Sequence, residues 1–185
     1  TVTDHGEALN LKDIPWAKRQ LWAPDAAHKD GKYFLYFPAR DQQDIFRIGV
    51  ATSDSPAGPF HAEAKPIEGS FSMDPAVFRD DDGAYYLYSG GIWGGQLQRW
   101  TSGTYRPEDV YPADDQPALS AKIARLSDDM LQYAEAPRDV LILDQHGKPL
   151  LAGDKDRRFF EAAWVHKYQG RYYFSYATGD THNIA

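Results

Sequence analysis

One unit occurs three times in this chain, and that recurrence constrains the fold more than any other feature. Residues 22–36, 71–88 and 161–176 each carry a short, mostly apolar stretch into a tight turn and out again into a run of Tyr and Phe. The turns are Asp30-Gly31, Asp80-Asp81-Asp82-Gly83 and Gln169-Gly170. Asp tolerates turn geometry and Gly supplies positive φ, while the aromatic run that follows is β-prone. Each unit therefore reads as a β-hairpin. When the units are aligned on Gly31, Gly83 and Gly170, the residues nine positions upstream are Trp22, Asp74 and Glu161. One aromatic ring and two carboxylates share an address in three copies of one motif. An unpaired buried carboxylate is costly, so two acids at one repeat position point to a cavity with chemistry in it. The plain alternatives are a turn residue for Asp74, a solvated strand acid for Glu161 and core packing for Trp22.

The stretches between hairpins complete the pattern. Phe46–Ser53 alternates, with Phe46, Ile48 and Val50 on one face, and a dense turn follows at residues 54–60. An edge strand around His61–Ile67 closes that unit. Ala121–Ser127 repeats the alternation in the second unit, after a flexible aromatic loop, Gly90–Gly95, and a polar excursion at Tyr105–Leu119. Val140–Leu143 reads as a short apolar strand opening the third unit, and Glu7–Asp13 as at most a turn of helix. Short connections make the strands antiparallel. Four-stranded units recurring with unequal insertions imply an all-β propeller. The expected divisions are a tail of a preceding blade at 1–18, a complete blade at 19–66, a blade with insertions at 67–136 and an incomplete blade at 137–185.

Composition narrows the function classes. A chain of 185 residues with 14% aromatic residues, 15 Gly and 12 Pro suits many strands and turns. A net charge of −7 argues against a nucleic-acid surface. No apolar run is long enough to cross a membrane. The absence of cysteine excludes disulfides and thiolate metal sites, and leaves secreted, periplasmic and cytoplasmic settings open. No acid cluster has EF-hand spacing and no His pair has zinc spacing. Asp25, His28, Asp80 to Asp82 and His166 read as turn or surface groups, Arg99 and Arg125 as solvent-facing strand arginines.

Taken together, several motifs in order resemble family 43 of the glycoside hydrolases. They are Trp22-Ala23-Pro24-Asp25; Phe46–Ser53 with Ser55-Pro56-Ala57-Gly58-Pro59-Phe60; Asp74-Pro75 with Asp81-Asp82-Gly83; and Glu161 before Gly170-Arg171-Tyr172-Tyr173. The resemblance implies a five-bladed propeller, of which this chain represents about three blades, acting by inversion on arabinose- or xylose-containing polysaccharides and oligosaccharides. It implies that Glu161 is the general acid and that Asp74 tunes the acid's pKa and orients substrate. The general base is expected on an inner strand before Thr1, so the segment alone reads as incomplete, with the missing blades or further domains of a parent chain as its partners. Trp22, Trp93, Phe37 and His182 are the expected sugar contacts. No cofactor is required by this reading, and a structural calcium on the propeller axis is compatible with it. The competing readings are a carbohydrate-binding propeller without chemistry, an inactive fragment lacking the base, and a scaffold for protein contacts.

Overall fold

The computed structural model describes residues 1–179. Three antiparallel sheets follow one another along the chain. The first contains β1 (Ala17–Arg19), β2 (Asp25–Lys29), β3 (Lys32–Asp41), β4 (Phe46–Ser53) and β5 (His61–Ala62). Its order is β1-β3-β4-β5, with β2 also paired to β3. The second runs β6 (Ala76–Arg79), β7 (Tyr85–Ser89), β8 (Lys122–Arg125), β9 (Arg138–Asp139) in sequence order. The third is the hairpin of β10 (Glu161–Tyr168) and β11 (Arg171–Ala177).

All three expected hairpins form, and their turns explain why. Lys29 pairs with Lys32 and Tyr168 with Arg171, leaving two-residue turns in which both members have positive φ: Asp30 50° and Gly31 80°, Gln169 49° and Gly170 74°. This is the turn whose twist matches that of the flanking strands. The middle hairpin has a longer loop, because Arg79 pairs with Tyr85 and the Asp80 amide bonds the Ala84 carbonyl at 2.9 Å. β4 has the expected bounds, and Glu63 and Ile67 extend its edge by amide bonds to Val50 and Ile48.

The sheets pack face to face. Phe34, Tyr36, Ile48 and Val50 of the first sheet meet Tyr85, Leu87, Leu126 and Met130 of the second. The buried Tyr36 hydroxyl donates to the Met130 carbonyl at 2.8 Å, so its polar tip is satisfied inside that apolar layer. A second apolar layer, with Ile92, Leu97, Phe159, Phe160 and Ala163, joins the second sheet to the third.

Three boundaries differ from the expectation. Residues 17–19 belong to the first sheet. β3 is longer than β2, and β1 takes the edge that β2 leaves open, with Ala17 opposite Asp41 and Arg19 opposite Arg40. Ile14 and Trp16 are buried there against Phe37 and Ala39. The second sheet extends past residue 136 to include β9. Val140–Leu143 is not a strand: Leu141 and Leu143 are exposed, and only Val140 and Ile142 lean on the core. Near the N-terminus the helical signal reduces to a 3₁₀ turn at Leu11–Asp13, capped by the Asn10 side chain.

Candidate active site

Trp22, Asp74 and Glu161 all stand at the head of a hairpin's first strand. Trp22 and Asp74 come shortly before β2 and β6, and Glu161 opens β10. They share an end of the sheets and not a register, because the middle turn is longer and the register slips between Glu161 and Trp164. Asp74 (φ 53°) and Ala162 (φ 57°) absorb the difference in left-handed backbone. Such bulged positions re-aim the neighbouring side chains.

The two acids meet across the sheet boundary. The Ala162 amide, next to Glu161, donates to Asp74 Oδ2 at 3.1 Å. Among the described residues Asp74 Oδ1 takes no bond. Burial pushes the Asp74 carboxyl above the usual carboxylate range, against the pull of the Ala162 amide. Glu161 is also pushed up, first by burial and second by the charge of Asp74. Desolvation and a neighbouring anion both disfavour ionisation, so each makes Glu161 a better proton holder.

A glycine-rich loop, Gly90–Gly95, packs beside Glu161. Ser72 pins it: Gly91 N–H donates to Ser72 Oγ at 2.9 Å and Ser72 Oγ donates to the Gly95 carbonyl at 2.8 Å. The Gly90 amide donates to the Met73 carbonyl at 2.8 Å. A Cβ on Gly91 would lie 3.4 Å from Glu161 Cβ and would force the Met73 side chain to shift, so glycine lets the loop come this close with Met73 in place. At the far end of the loop, a Cβ on Gly94 would lie 3.4 Å from the Trp22 ring. The loop thus spans from Trp22 to Glu161.

Trp22 is 36% exposed and rests on Phe46, with ring centroids 4.7 Å apart. Its free surface lies at the same end as the acids. Trp93 is half-buried, in a T-shaped contact with Phe160 at 5.6 Å, and lines an open cavity of about 230 Å³ with Tyr111, Lys155 and Arg158. Neither acid lines that cavity. Phe37 requires correction: at 1% exposure it is stacked on Trp16 in the core of the first sheet and cannot wall a sugar pocket. Alternation along β3 points it away from the site. His182 lies outside the described residues. Arg99 is committed to Asp109 at 2.7 Å. Asp4 lies in an irregular segment and Asp13 ends the 3₁₀ turn, both ahead of the first hairpin.

Three contributors escaped the sequence reading. Ser72 and Gln96 are buried polar residues that organise the loop, Gln96 by accepting the Phe46 amide at 2.8 Å and donating to the Asp44 carbonyl at 3.0 Å. Asp25, read as a surface group, accepts the Val77 amide at 2.7 Å across the first sheet boundary. Only the Gly pairs flanking Ile92-Trp93 hinted at a close approach. Among the described residues no group of three or more His, Asp or Glu could hold a metal ion.

Comparison with known proteins places the chain in a family. The profile of "Glycosyl hydrolases family 43" matches residues 2–184. This chain is a member of glycosyl hydrolase family 43. A xylosidase/arabinosidase of Bacteroides ovatus is 59% identical over 98% of the chain and 56% of its own length. Xylosidase/arabinosidase 43A of Humicola insolens is 58% identical over 99% of the chain and 58% of its own length. A family 43 beta-xylosidase/alpha-arabinofuranosidase from a compost microbial metagenome, solved with xylotriose in a calcium-free form, superposes with a TM-score of 0.94 at 67% identity, over 97% of this chain and 56% of that one. The chain therefore spans little more than half the length of these relatives, and its three sheets are successive blades of part of a β-propeller.

Proposed function

We propose that this chain is the acid-bearing part of an inverting glycoside hydrolase that cleaves xylosyl or arabinosyl bonds in plant cell-wall saccharides. The observation that carries the proposal is the placement of Asp74 against Ala162, which holds its carboxylate beside Glu161 and raises the proton affinity of that acid. The names of the relatives supply the sugar class.

Glu161, its proton affinity raised by burial and by Asp74, gives its proton to the glycosidic oxygen as the bond to the anomeric carbon breaks. A base on the opposite face takes a proton from the attacking water, and the two carboxyls stand roughly 6.5–9.5 Å apart to leave room for it. That base belongs to a part of the parent protein outside this chain. Asp74 Oδ2 is occupied by the Ala162 amide, which leaves Oδ1 for a sugar hydroxyl. Trp22 offers an apolar face to a sugar ring, and Trp93, inside the loop, lines the adjoining cavity. No step depends on a calcium ion.

The test is the stereochemistry of the first product. Xylobiose and an aryl arabinofuranoside are incubated with the parent protein, and the anomeric proton is followed by NMR. Inverted sugar is expected. Retained configuration would contradict the mechanism, and binding of the saccharides without turnover would favour a carbohydrate-binding propeller.

A further inference from the structure

One carboxylate near the site has no part in the reaction above. Asp25 opens β2, and its Oδ2 accepts the Val77 amide at 2.7 Å. β6 is the edge strand of the second sheet, so the Val77 N–H has no strand partner on that side and needs an acceptor. One sheet further on, Asp74 accepts the Ala162 amide of β10, again an edge strand. The same bond is therefore made twice, in series. Asp25 holds the chain three residues after Asp74, and Asp74 holds it one residue after Glu161.

We propose that Asp25 is a positioning residue for the acid pair: by fixing the head of β6 it sets how the Asp74 carboxylate faces Glu161. The inference rests on the roles given to Asp74 and Glu161 above. Its physical basis is the backbone at Asp74. A left-handed residue outside glycine persists only where its surroundings over-determine it. Before Asp74 the chain is pinned by the Met73 carbonyl to the Gly90 amide and by Ser72 to the loop. After Asp74 the pin towards the neighbouring sheet is Asp25. Removing it leaves the Val77 amide without an acceptor and frees one side of the strained residue. Among the described residues Asp74 is the charge that acts on Glu161, Asp74 itself is shifted by burial and the Ala162 amide alone, and the loop Gly90–Gln96 carries no ionisable residue.

The test compares Asp25→Ala, Asp25→Asn and Asp74→Asn in the full parent protein, by the pH dependence of kcat/KM and the separate kcat and KM on a neutral xylo-oligosaccharide. Asp25→Ala is expected to lower kcat on the order of 10-fold, below the ~10²-fold that an ångström of misplacement can cost, with KM changed by no more than about 2-fold. Its basic limb should move to lower pH, in the direction of Asp74→Asn. Asp25→Asn keeps a carbonyl acceptor for Val77 and should retain both the rate and the limb. If Asp74→Asn moves the limb and Asp25→Ala does not, the role of Asp25 is overturned and the acid pair stands. If Asp74→Asn leaves the limb in place, the acid pair fails and the inference fails with it. Should Asp25→Ala not fold, Asp25→Glu, one methylene longer, must show the shifted limb; an unshifted limb overturns the proposal.

Discussion

At the residue scale the chemistry turns on groups whose proton affinity is set by where the fold puts them. Glu161 and Asp74 both bind protons more tightly in the folded protein than the ordinary carboxyl value. A raised folded pKa contributes stability that is complete below the unfolded value and lost as pH rises through the folded one. At neutral pH both groups therefore weigh against folding. Glu161→Gln in the parent protein should raise Tm at pH 7 by no more than the ~2–4 °C that 1 kcal/mol represents in a domain of this size. The gain should vanish below about pH 4, where Glu is protonated in either state. Equal Tm differences at both pH values, measured by calorimetry, would show that the carboxyl is not perturbed. Gly91 gives a second prediction. Gly91→Val would drive a branched side chain against Met73 and Glu161, so activity should fall by at least ~10²-fold, the order expected for misplacement near an ångström. Gly94→Ala, whose Cβ makes only ordinary contact with Trp22, should lose little. Initial rates on one substrate separate the two.

At the scale of elements, what could be read in advance was what is local. The three hairpins carry their turn chemistry within a few residues, and β4 carries its alternation in eight, so both were legible. The turn at Gln169-Gly170 lends itself to a clean test. A Cβ on Gly170 would meet nothing within 4 Å, so any penalty comes from its φ of 74° alone. Gly170→Val should cost ~1–3 kcal/mol, the usual cost of a sparsely populated backbone region, and Gly170→Asn much less, since Asn tolerates that region. Urea titration of the parent protein checks both. What was not legible is non-local. β1 is three residues long, with no period of its own, and exists because β3 outruns β2 and Trp16 finds Phe37. That same stacking turned Phe37 from an expected sugar contact into a core residue. Val140–Leu143 has strand-like composition but no neighbour on which to bury Leu141 or Leu143. Asp25 looked like turn chemistry because its partner, Val77, is 52 residues away.

For the whole molecule, the third sheet is the telling part. Tyr168 and Tyr172 are 60% and 56% exposed, with Trp164 and Tyr173 exposed beside them, a concentration of aromatic surface that isolated soluble domains rarely leave open. The chain also spans only 56% of its Bacteroides relative. The 185-residue segment produced alone should therefore self-associate at micromolar concentration in sedimentation velocity, while the parent protein runs as a defined species. A monomeric, sharply melting segment would show that these aromatic faces need no cover. The central claim, that Glu161 donates the proton to the leaving group, is tested most directly by pairing two substrates in the parent protein and its Glu161→Gln variant. One is a xylo-oligosaccharide, whose leaving group needs protonation; the other is an aryl glycoside with a strongly acidic phenol, which needs little. The account predicts that kcat/KM falls by roughly 10²–10⁴-fold on the first, the span general acid catalysis supplies, and by much less on the second. Equal losses on both substrates would contradict it.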